Sequence, residues 1–115
     1  MVMACLFAVS MAQCNNTEDI AAFKAHWTDF RQLVTDCGTK CFARIACATA
    51  CTKRSVGLSQ GCAACFGSDI GCMADHCMAQ CTAAPTSQKC MDCHAKYCEV
   101  SFKQCVAVPD SVLPP

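Results

Sequence analysis

The chain has 115 residues, 15 of them cysteine, and its nine basic and nine acidic residues balance to a formal zero. That length suits one domain, and that cysteine content marks either a disulfide scaffold or a metal–thiolate protein. The charges are scattered without a block of one sign, which gives no electrostatic reason to expect nucleic acid or an anionic membrane as partner.

Met1 to Ala12 reads MVMACLFAVSMA. Val2 to Val9 is an apolar run of h-region length, and Ser10 and Ala12 are the small residues of an A-x-A-like cleavage site, so residues 1–12 are expected to be a signal peptide cut before Gln13. The n-region is atypical in having no Lys or Arg. The run is too short to cross a bilayer as a helix, and no other stretch is apolar enough to be a transmembrane segment. Cleavage would remove Cys5 and leave an even fourteen cysteines, which suits seven disulfides in a secreted protein or in another oxidising lumen. Asn15-Asn16-Thr17 is an N-x-T acceptor, making Asn15 the expected glycosylation site.

Thr17 is placed to cap a helix with Glu18 and Asp19 in its first turn. Ile20, Phe23, Trp27, Phe30, Val34, Cys37 and Cys41 then recur three and four residues apart, the stripe of an amphipathic helix. This predicts helix from 17 to about 36, after which Gly38-Thr39 permits either a turn or a continuation. A second helix is expected from about Cys37 to Lys53, with Cys37, Cys41, Cys47 and Cys51 on one face. Ser59 caps a third, running to about Thr82 with Cys62, Cys65, Cys72, Cys77 and Cys81. Gly61, Gly67 and Gly71 lower its intrinsic helicity, so tertiary staples must hold it. Ala84-Pro85 ends it, and Ser87 caps a fourth, from about Gln88 to Val106, with Cys90, Cys93, Cys98 and Cys105. Residues 13–108 are expected to form the single cysteine-rich domain, and residues 109–115 an extended, loosely held tail.

Two antiparallel helices place residues at equal height when their numbers share a constant sum, because both rise equally per residue. Between the third and fourth helices, Cys81/Cys90, Cys77/Cys93, Cys72/Cys98 and Cys65/Cys105 obey one such constant within one residue. Between the second and third, Cys51/Cys62, Cys47/Cys65, Cys41/Cys72 and Cys37/Cys77 obey another within two residues. The expectation is a layered bundle in which Cys51–Cys62 and Cys81–Cys90 close short hairpins. The middle layers hold three thiols each, so one of each triad needs an outside partner; Cys14 is available, and Cys14–Cys105 with Cys47–Cys65 is one solution.

Cys90-Met91-Asp92-Cys93-His94 has the C-x-x-C-H pattern of c-type haem attachment, and its place in the last helix resembles that in the cytochromes c′. The resemblance implies thioether bonds at the two cysteines and His94 on iron; it leaves the other cysteines without a role. A bundle lined with thiols is also similar in arrangement to the copper storage proteins, which implies Cu(I) on inward thiolates, with His76, His94, Met73, Met78 and Met91 available at a bundle mouth. Cys62/Cys65 and Cys90/Cys93 could also make a four-thiolate zinc site, a reading ranked behind Cu(I). No Ser/His/Asp set, paired carboxylate or Gly-rich phosphate loop is present, so no enzyme is expected, and C-x-x-C without a βαβ pattern does not point to a thioredoxin-like one.

The reading is therefore an all-α bundle of three cysteine-lined helices plus an N-terminal amphipathic helix, cross-linked by disulfides. The expected function is that of a secreted, non-enzymatic structural or interaction protein without a cofactor, acting through a protein partner or self-assembly. The alternative is Cu(I) storage, and the minor one a haem protein. Phe23, Trp27 and Phe30 are the candidate partner surface.

Overall fold

The computed structural model describes residues 12–115; the expected signal peptide, Ala12 apart, lies outside them. Among the described residues there are seven helices and no strand. They are α1 (Thr17–Ala25), α2 (Phe30–Lys40), α3 (Ile45–Val56), α4 (Gln60–His76), α5 (Met78–Cys81), α6 (Gln88–Tyr97) and α7 (Glu99–Val106). All fourteen cysteines from Cys14 onward are joined in seven disulfides.

The expected first helix is broken after Ala25. In a straight helix Phe23 and Phe30 would stand about 10 Å apart along the axis. The turn at residues 26–29, built from the poor helix formers His26, Trp27, Thr28 and Asp29, brings their ring centroids to 5.6 Å, edge to face. Both rings then meet Phe66 of α4, at 6.1 and 5.1 Å, and Phe102 of α7 lies 5.2 Å from Phe66 on its far side. Phe66 is thus the hub of the main core, which Cys14, Val56, Leu58, Cys62, Cys65 and Val106 complete.

The second break is the larger departure from expectation. The helix does not turn at Gly38; α2 runs through it and ends at Lys40. The chain reverses over Cys41–Arg44, where Phe42 and Ala43 both adopt left-handed backbone, with φ of 52° and 58°. That conformation costs about 1–2 kcal/mol at each non-glycine residue, and the adjacent Cys41–Cys47 bridge holds it. Cys37 and Cys41 therefore face back onto α3, giving Cys37–Cys51 and Cys41–Cys47. Those two pairs share a constant residue-number sum of 88, so the equal-height rule holds inside a hairpin that the sequence reading took for one helix. The expected Cys51–Cys62, Cys47–Cys65 and Cys14–Cys105 pairings are corrected accordingly: Cys62 is bonded to Cys14, and Cys65 to Cys105.

No disulfide joins α3 to α4, although the two helices lie along each other. Close approach at glycine takes that role. A Cβ on Gly67 would overlap the Thr49 hydroxyl, and one on Gly71 would stand 2.6 Å from the Ile45 side chain. Replacing an exposed helical glycine with alanine ordinarily stabilises by up to about 1 kcal/mol. Here the sign reverses: Gly67→Ala is expected to lower the unfolding free energy in guanidinium by about 2 kcal/mol, because Thr49 is buried and the Ile45 backbone carbonyl also stands 3.0 Å from the new Cβ.

Beyond α4 the cysteines follow the expected layers. Cys65–Cys105, Cys72–Cys98, Cys77–Cys93 and Cys81–Cys90 climb the antiparallel pair formed by α4–α5 and α6–α7. Each expected long helix is jointed at a cysteine of this ladder, at Cys77 and at Cys98. The C-terminal tail, expected to be loose and extended, instead turns with Val112 N–H donating to the Pro109 carbonyl at 2.9 Å, and lays Val112 and Leu113 on the main core.

The two halves are tied at the start of the chain. Asp19, fully buried, accepts from the Ser59 N–H at 2.8 Å, from the Ser59 hydroxyl at 2.7 Å and from the Asn16 side-chain amide at 2.6 Å. Asn16 caps α1, and Ser59 caps α4 by accepting from the Cys62 N–H at 3.3 Å. Two helix N-termini thus converge on one carboxylate, beside the Cys14–Cys62 bridge.

Candidate binding groove

A groove of about 600 Å³ opens between α2 and α6. Its walls include Phe30 and Val34 from α2, Phe66 and Met73 from α4, and Met91 and Phe102 from α6 and α7. Its volume falls within the range of ligand clefts, and its walls are more apolar than polar. Pro114 and Pro115 close one side, because the tail folds back instead of trailing away.

One polar pair stands inside this lining. His94 Nε2 lies 2.8 and 3.0 Å from the two carboxylate oxygens of Asp69, joining α6 to α4, and both side chains are largely sheltered. The hydrogen bond to Asp69 raises the pKa of His94 above the ordinary 6.5; burial pulls the other way, and the charges of Asp69 and Glu99 add to the rise. A pKa raised by folding means that the native state holds this proton more tightly than the unfolded chain does. The pair therefore stabilises the fold in full below the ordinary histidine pKa, and that contribution fades as pH rises through the native value. Denaturant titrations between about pH 5 and 8 should show this loss with rising pH in the wild type, and His94→Gln should abolish that part of the slope.

The arrangement offers apolar walls and one polar pair to a bound group. His94 has a carboxylate partner but no serine, cysteine thiol or second base beside it among the bonds of the described residues. Cys90 and Cys93 are bonded to Cys81 and Cys77, so neither sulfur is free for a haem vinyl group, and His94 turns to Asp69. Met73, Met91 and His94 line the groove together, whereas His76 stacks on Tyr97 at 4.7 Å and Met78 is exposed on the short α5. No cluster of three or more His, Cys, Asp or Glu suited to a metal occurs among the described residues.

The proposed aromatic surface divides. Phe23 and Phe30 are buried in the main core, and only Trp27, 39% exposed at the α1–α2 break, faces outward. Two of the three are thus removed as partner contacts, because breaking the helix turns them inward. Asn15 is exposed just ahead of the α1 cap. Asp69 escaped the sequence reading: it lies 25 residues from His94, and only the α4–α6 pairing brings them together. Comparison of the chain with protein-family models, curated proteins and solved structures finds no match.

Proposed function

We propose that the protein is a secreted or lumenal, non-enzymatic interaction module, a helical scaffold kept rigid by disulfides so that its groove and loops stay in fixed relation. The observation that carries this reading is the bridge pattern: two disulfides staple the α2–α3 hairpin, four staple α4–α5 to α6–α7, and one ties the N-terminal arm to α4. A chain so poor in large apolar side chains gains from such staples what it lacks in core, and they persist only where the surroundings are oxidising. No helix of the described residues is long and apolar enough to cross a membrane. Glycosylation of the exposed Asn15 fits the same route.

The bridges also weigh against the Cu(I) alternative, since a sulfur in a disulfide is no thiolate and soft metals need thiolates. Free-thiol titration of the native protein from its natural compartment tests the choice. The scaffold reading expects no reactive thiol between residues 13 and 115 and no copper after dialysis. Stoichiometric thiols with several bound copper ions would replace it by metal storage, and a Soret band by haem.

A further inference from the structure

The formal zero charge conceals a division. Residues 37–68 carry Lys40, Arg44, Lys53 and Arg54 and no Asp or Glu; the rest of the chain sets its five cations against all nine acids. The α2–α3 hairpin with the first half of α4 is therefore net positive by four, and the remainder net negative by four. Among the described residues none of the four cations is in an ion pair. Along the chain the charges form no block of one sign, and the division lies in the absence of acids from one stretch.

At the tip of the positive hairpin stands Phe42, 82% exposed. Left-handed backbone at Phe42 and Ala43 and the Cys41–Cys47 bridge fix it there, between the exposed cations Lys40 and Arg44. Backbone strain held in place by its surroundings is a pointer to function, and a rigid exposed aromatic is a pre-organised anchor. Elsewhere on the molecule lies a groove with the complementary character. Phe30, Phe66 and Phe102 give it an aromatic floor, and it carries three carboxylates, Asp69, Asp92 and Glu99, against the single permanent cation Arg31. Even with His94 protonated the groove remains negative by one. Neither Phe42 nor its flanking cations line the groove of their own chain.

We propose that the molecule assembles head to tail, the Phe42 tip of one copy seating in the α2–α6 groove of the next with Lys40 and Arg44 against the groove carboxylates. This rests on the scaffold reading, because both surfaces must be held rigid to meet. A contact between two different patches does not close on itself as a two-fold dimer does; it continues into a chain of molecules, or into a ring if the rotation allows. One aromatic anchor and a few charges make a small interface of the weak class, so association is expected near about 100 µM and should weaken with added salt.

The test uses protein already verified to contain no free thiol, followed by sedimentation from about 1 µM to 1 mM. Phe42→Asn keeps a residue that tolerates left-handed backbone and removes the anchor; Asp92→Lys/Ala95→Lys reverses charge at exposed groove positions of α6. Wild-type protein should form open-ended oligomers, and each variant should weaken association about 30-fold, the loss of an interface hot spot. Mixed together, the two variants should form a one-to-one dimer that grows no further, because one intact tip meets one intact groove. A wild type that stays monomeric throughout, a closed dimer indifferent to both variants, or a tip that serves only to carry monomers onto anionic phosphatidylserine vesicles would each overturn the assembly. With the bridges verified beforehand, those outcomes leave the scaffold reading standing.

Discussion

The Cys14→Ala/Cys62→Ala variant is expected to lose about 4 kcal/mol of stability, on the chain-entropy estimate for a cross-link between residues so far apart. Cys14–Cys62 spans 48 residues, the longest separation among the described residues, and ties the N-terminal arm to α4. By the same estimate Cys41→Ala/Cys47→Ala, whose bridge spans 6 residues, should lose about 2 kcal/mol. The remaining bridges shorten the effective loops and compress both values, but the order stands. Guanidinium unfolding of the two double variants, with the other disulfides left intact, measures the difference. Equal losses, or a larger loss at Cys41–Cys47, would mean that native strain and not loop closure decides what these bridges contribute.

Asp19→Ala should cost about 3 kcal/mol. The fully buried carboxylate accepts three hydrogen bonds, and truncation takes the acceptor from the Ser59 N–H, the Ser59 hydroxyl and the Asn16 amide at once. Hydrogen bonds to a charged group are worth about 1.5–3 kcal/mol, and stranded buried donors add their desolvation. Asp19→Asn is no rescue, since whichever way the amide turns its NH₂ meets a donor: the Ser59 N–H on one side, the Asn16 amide on the other. Thermal melts should rank Asp19→Asn near Asp19→Ala. A variant close to wild type in both would show that the Cys14–Cys62 bridge alone fixes the arm.

What the sequence revealed and what it hid have separate physical causes. The ladder from α4 to α7 was legible in its spacing, because two nearly straight antiparallel rods obey a constant sum and small joints at Cys77 and Cys98 do not spoil it. The α2–α3 hairpin was not legible, because its turn uses Phe42 and Ala43 at left-handed positions where glycine or asparagine is the usual signal. The glycine that did draw attention, Gly38, sits inside α2, where a Cβ would come within 3.5 Å of Ile70. Gly67 and Gly71 looked like a weakness of the third helix and are instead what lets α3 lie against it. The groove follows from the same misplacement: an unbroken first helix would have carried Phe30 and Val34 away from α6.

Two hairpins, α2–α3 and α4–α5 with α6–α7, are thus stapled separately and packed together with no bridge between them among the described residues, while Cys14–Cys62 ties only the N-terminal arm to α4. Mass-spectrometric mapping of linked peptides from the unreduced protein tests this central claim most directly. The account predicts an intact mass about 14 Da below that of the reduced chain, two hydrogens for each of seven bridges. It predicts Cys37–Cys51 and Cys41–Cys47 closing the first hairpin, with Cys65–Cys105 and Cys72–Cys98 linking α4 to the second. Recovery of Cys51–Cys62 or Cys37–Cys77 peptides, linking the first hairpin directly to α4, would contradict it.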